Sequence, residues 1–110
     1  MATRVIENWS DIFGTVEMLH DAADIKEYVE VQVEVERVET VDGYANLLAD
    51  AEGQAIGIYV EKQQAQALRV QPGDAIYCRV RRTSPTRAFA HRKHLTVYHL
   101  QSTTESDRSA

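Results

Sequence analysis

Apolar and polar positions change their spacing along this chain, and the changes divide it into elements. Over residues 11–23, Ile12, Phe13, Val16, Leu19 and Ala23 recur at helical intervals behind Ser10, a candidate N-cap, with Asp11 in the first turn. That spacing predicts an amphipathic helix; a strand is the alternative, because Gly14 and Thr15 lower helix propensity. From Tyr28 the period becomes two. Val29, Val31, Val33 and Val35 alternate with Glu30, Gln32, Glu34 and Glu36. This predicts a strand with a β-branched inner face and an acidic outer face, disturbed at Arg37 and Val38 by a bulge or bend.

Asp42-Gly43 then signals a hairpin turn, with residues 44–50 as the returning second strand. A turn at Glu52-Gly53 leads to a third strand over 54–61, where Ile56, Ile58 and Val60 point one way and Gly57, Tyr59 and Glu61 the other. Residues 62–69 are good helix formers without a β-branched member and predict a short helix of about two turns. Gln71-Pro72-Gly73-Asp74 ends it in a turn. A fourth strand runs from Ala75 to near Arg82, with Ile76, Cys78 and Val80 inward and Tyr77, Arg79 and Arg81 outward. Ser84-Pro85-Thr86 closes a loop into a fifth strand within 87–100. Leu95 and Val97 suggest one register for it, Tyr98 and Leu100 the other.

Strand, strand, strand, short helix, strand, strand, with the Gln71-Pro-Gly-Asp74 turn into the fourth strand, resembles an OB-fold over roughly residues 26–101. The resemblance implies a mainly all-β, five-stranded, OB-like Greek-key barrel with a short helix between strands three and four. The N-terminal helix would be an addition to it. The expected organisation is then an arm and helix at 1–25, the barrel at 26–101, and a disordered Ser/Thr-rich tail at 102–110. OB-folds bind single-stranded nucleic acid, oligosaccharide or protein. The resemblance places the ligand on strands two and three, between the loop joining strands one and two and the loop joining strands four and five. Here the first of those loops is only Val41-Asp42-Gly43, and the second is basic.

Composition fits one folded domain: 110 residues, 44% hydrophobic and 26% charged. No apolar run approaches membrane-spanning length, and the first residues lack the long apolar stretch of a signal peptide, so a cytoplasmic location is expected. The single cysteine, Cys78, has no partner for an internal disulfide and agrees with a reducing compartment. Charge changes the picture more. Residues 1–61 hold fourteen carboxylates against Arg4, Lys26 and Arg37, whereas residues 62–101 hold eight basic residues against Asp74 alone. A net charge of -5 therefore conceals a basic segment with its own local field.

Six of those cations, Arg79, Arg81, Arg82, Arg87, Arg92 and Lys93, lie on the last two strands and their loop, near Phe89, Tyr59 and Tyr77. Cations that track phosphates and rings that stack on bases are what single-strand binding requires. The expected function is binding of single-stranded DNA or RNA with low sequence specificity. Against it stands a bland reading, in which the arginines pair with carboxylates such as Glu30, Glu34 and Glu36. A third reading is an adaptor that uses the barrel and N-terminal helix to hold another protein or its own copy. His91 and His94, three apart on a strand, would face opposite sides; with His99 they match no fixed metal geometry, and they are better suited to assist anion contact when protonated. No phosphate loop or nucleophile motif occurs, so neither catalysis nor a cofactor is expected.

Overall fold

The structure, a computed structural model, describes residues 7–99. The tail expected at 102–110 lies outside them, as do residues 1–6 of the arm. Five strands are present: β1 (Ser10–Asp21), β2 (Tyr28–Thr40), β3 (Ala55–Glu61), β4 (Ala75–Ser84) and β5 (Arg87–Tyr98), with α1 (Lys62–Leu68) between β3 and β4. They follow one another in the closed order β1-β2-β3-β5-β4. The ladders β1–β2, β1–β4, β2–β3 and β4–β5 are antiparallel, whereas β3 meets β5 through a single parallel bridge, Tyr59 with Phe89.

Two expectations about the first half are corrected. The predicted N-terminal helix is β1. Its apolar residues satisfy a helical period, but Ile12, Gly14 and Val16 also alternate with Phe13 and Thr15, and ladders to β2 on one side and β4 on the other decide for the strand. The predicted second strand at 44–50 is not a strand. After Gly43, at φ 88°, the chain makes turns and one 3-10 turn, Ala49–Ala51, that buries Leu48 and Ala51. Asn46 Oδ1 accepts hydrogen bonds from Ser10 Oγ at 2.6 Å and from the Leu48 N–H at 3.2 Å, a local arrangement that competes with a ladder.

These findings overturn the OB-fold resemblance and the fold class drawn from it. The resemblance counted its five strands from Tyr28 behind an added helix. The chain's strands begin at Ser10, the supposed second is missing, and the ring is joined at a seam of one bridge, so a Greek-key OB barrel with an N-terminal helix is not what this chain builds. The loops and face assigned to a ligand fall on other elements.

The later elements lie where the pattern put them. Val29, Val31, Val33 and Val35 are buried with Ile12, Val16, Ile58, Val60, Ile76, Cys78 and Val80 in one core. Leu95 and Val97 pack against that core while Tyr98 is 57% exposed, which fixes the register of β5. The bend near Arg37 is a bulge: Phe13 pairs with Arg37 but Gly14 with Val35, leaving Glu36 unmatched. The bulge draws β2 so close that a Cβ on Gly14 would sit 2.2 Å from the Glu34 carbonyl oxygen. Gly14 is thus a requirement of the strand pairing.

Candidate nucleic-acid interface

The outward face of β1, β4 and β5 gathers the chemistry. Asn8, fully buried, uses its side-chain amide as an extra rung of the β1–β4 ladder: Nδ2 donates to the Arg82 carbonyl at 3.0 Å, and Oδ1 accepts from the Arg82 N–H at 2.9 Å. Ser10 pairs with Val80. Trp9, between them, is thereby set beside Arg81, and its own N–H donates to the Ala45 carbonyl at 3.2 Å.

A bulge in β5 places the histidines. Cys78 pairs with Leu95 and Val80 with Ala90, so residues 91–94 stand opposite Arg79 alone. Strict alternation is lost there, and the expectation that His91 and His94 face opposite sides is corrected: their ring centroids lie 4.7 Å apart, and the His91 ring is 5.0 Å from that of Trp9. Lys93 N–H donates to His91 Nδ1 at 3.0 Å. Partial burial, and then the positive neighbours His94, Arg79 and Lys93, hold the His91 pKa below its usual 6.5.

Beside this group Arg79 grips Asp11 with two hydrogen bonds, Nε to Oδ1 at 2.9 Å and Nη2 to Oδ2 at 3.2 Å, and the Tyr77 hydroxyl donates to Oδ1 at 3.0 Å. Burial alone would raise the Asp11 pKa, but the bonds from Arg79 and Tyr77 and the charge of Arg79 outweigh it and leave it lowered. The Tyr77 ring lies 5.0 Å from Phe13, and the Arg37 guanidinium sits 4.0 Å over the Phe13 ring. Phe13, Tyr77, Arg37 and Tyr98 line an open groove of about 560 Å³ together with the carboxylates Asp11 and Glu36.

The nine residues expected at the site are only partly brought together. Arg79, Arg81 and Tyr77 lie on this face. Arg81 Nη2 approaches Glu7 to 4.0 Å, while its enclosed Nε–H has no acceptor among the described residues. Lys93 is exposed and has no charged partner among the described residues. Arg92 is 74% exposed in its side chain and lies 3.5 Å from Glu61. Arg82 is a structural clamp, donating to the carbonyls of Leu47, Ser84 and Pro85. Arg87 is held by Asp24. Phe89 and Tyr59 form a separate ring group with Tyr28 at the β3–β5 seam, at centroid distances of 5.2 and 5.7 Å from Phe89. Tyr59 is 8% exposed and donates its hydroxyl to Asp24, so it offers little surface for stacking.

The arginines are therefore largely paired, as the bland reading held, but with Asp11, Glu7, Asp24 and Glu61 in place of Glu30, Glu34 and Glu36. The outer face of β2 keeps its carboxylates: Glu30 accepts from Gln32, and Glu36 from Thr15. Trp9, Phe13 and Arg37 were absent from the expected site. The alternation of Trp9, Asp11, Phe13 and Thr15 against Ser10, Ile12, Gly14 and Val16 is the signal for Trp9 and Phe13, whereas Arg37, at the β2 bulge, has none.

Burial, with the charge of Asp11 adding to it, pushes the Cys78 thiol up to about 12, which leaves a neutral core side chain. Among the described residues no group of three or more His, Cys, Asp or Glu could hold a metal ion, and no helix is long and apolar enough to cross a membrane. No family model matches the chain, and neither does any curated protein.

Proposed function

We propose that this domain binds single-stranded DNA or RNA with low sequence specificity on the outward face of β1, β4 and β5, acting as a cytoplasmic binding module and not as an enzyme. One observation carries the reading: two ring groups, Trp9–His91–His94 and Phe13–Tyr77, share a face with Arg79, Arg81, Lys93 and Arg37. Trp9, immediately before β1, and Phe13 on β1 are four residues apart, about 13 Å at the rise of an extended strand. That separation suits rings that contact different nucleotides of one strand, with cations between them for the phosphates. The looser ion pairs do not oppose this. An exposed pair contributes only about 0–1 kcal/mol, so a phosphate can replace Glu7 at Arg81 at small cost.

Anisotropy of a labelled oligonucleotide tests the proposal. Affinity should fall steeply with salt, and Arg81→Ala combined with Lys93→Ala should weaken it for every sequence and reduce the salt slope. Absence of binding to both DNA and RNA at low salt would refute it.

A second reading, a self-associating adaptor, has the groove beside the exposed Tyr98 in its favour. If it holds, Tyr98→Glu abolishes concentration-dependent association in sedimentation; a monomer at all concentrations counts against it.

A further inference from the structure

We propose that Trp9, His91, His94 and Arg81 form a single-nucleotide subsite, in which a base lies against the Trp9 indole, its phosphate sits over the two imidazoles and the Arg81 guanidinium, and affinity rises as the pH falls. The inference rests on the nucleic-acid reading and goes beyond it by naming one site and its proton dependence.

The geometry has three parts. Trp9 is held by its backbone bond to Ala45 and by the Asn8 clamp on Arg82, so the indole is preorganised at the end of β1. His91 lies 5.0 Å from that indole and 4.7 Å from His94, and the β5 bulge is what brings the two imidazoles to one side. Arg81 has only a weak ion pair with Glu7, Nη2 at 4.0 Å, and a side chain 35% exposed, so its terminal N–H groups retain donor capacity for an anion, while its Nε–H is enclosed.

The charges around the imidazoles set the sign. Arg79 from β4 and Lys93 from β5 act on His91, and Asp11 from β1 acts on His94, while Arg81, beside Trp9, pairs with Glu7. Asp11 is bonded to Arg79 and Tyr77, and its charge also interacts favourably with His94. Without ligand, burial first opposes a second proton on His91, and His94, Arg79 and Lys93 oppose it as well; that proton also displaces the bond that Nδ1 accepts from the Lys93 N–H. A phosphate placed among these groups reverses the balance: it favours the protonated imidazoles, and by linkage protonation favours the phosphate. Each unit by which the ligand raises an imidazole pKa corresponds to about tenfold in affinity across the titration.

The test uses the full chain and a single-stranded oligothymidylate of about twelve nucleotides at constant low salt. Trp9 is the only tryptophan, so indole fluorescence reports the subsite itself and anisotropy reports total binding. Expected is an affinity gain of about tenfold between about pH 7.5 and about pH 5.5, with a change in Trp9 emission on binding. The gain with falling pH should vanish in the His91→Gln, His94→Gln double variant, whose circular dichroism is unchanged. Equal pH dependence in parent and double variant, or binding that leaves Trp9 emission unmoved, overturns the subsite while the broader reading stands. No binding at either pH overturns both.

Discussion

The outer face of β2 and the outer face of β1, β4 and β5 arise from the same device, alternation along a strand, yet they present opposite surfaces. On β2 the outward positions Glu30, Gln32, Glu34 and Glu36 form an acidic row, and Gly57 on β3 leaves room for Glu30, whose Oε2 would lie 2.0 Å from any Cβ at that position. On the other face, carboxylates are few and engaged: Asp11 is taken by Arg79 and Tyr77, Glu36 accepts from Thr15 at the edge of the groove, and rings lie between. The difference shows why a net charge of -5 says little about ligands. A phosphate chain would be repelled from one side of the sheet and met by rings and cations on the other.

The sharpest way to break this division is to break the strand that carries it. Gly14→Ala forces a Cβ to within 2.2 Å of the Glu34 carbonyl oxygen and 2.9 Å of Val33 Cγ1, so β1 and β2 must separate. A loss of about 3 kcal/mol or more is expected in urea unfolding. Next, Arg79→Ala leaves Asp11, whose side chain is 14% exposed, without its charged partner. About 2 kcal/mol should be lost, and Asp11→Asn should recover part of that loss in the double variant. Trp9→Ala should reduce oligonucleotide affinity about tenfold, within the range for one base–aromatic stack, while Tyr59→Phe at the seam should leave it nearly unchanged.

Smaller effects sharpen the contrast. The Asp11 pKa lies below its usual 3.8, so the stability it contributes is complete above that value and is lost as pH falls through the lowered one. The His91 pKa lies below 6.5, so the unfolded chain takes up that proton first and stability declines as pH drops from 6.5 towards the lowered value. His91→Gln should flatten this second decline, by less than about 1 kcal/mol, and leave the acid limb intact. Glu34→Gln on β2 should change folding stability by no more than about 0.5 kcal/mol.

Much of this molecule could be read from its residues. The valines of β2, the Ile56–Ile58–Val60 alternation of β3, the helix formers of α1 and the Ile76–Cys78–Val80 alternation of β4 each obey one period without competition. β1 could not be read so directly, because Ile12, Phe13, Val16 and Leu19 fit two periods and only the neighbours on both sides choose between them. Residues 44–50 suit a strand by their spacing, but the side-chain bonds of Asn46 compete with a ladder there. At the site, the basic residues were visible as charge, but their pairing with Asp11, Glu7, Asp24 and Glu61 depends on contacts far apart in sequence. The meeting of His91 with His94 depends on a bulge that alternation cannot announce.

Mapping backbone amide shifts in a ¹⁵N-labelled sample, during titration with single-stranded oligothymidylate at low salt, tests the division of the two faces most directly. Shifts confined to Trp9, Phe13, Tyr77, Arg79, Arg81 and residues 91–94, with Glu30 to Glu34 unmoved, are the expected result. Shifts centred on β2 and β3, or none at saturating oligonucleotide, would contradict it.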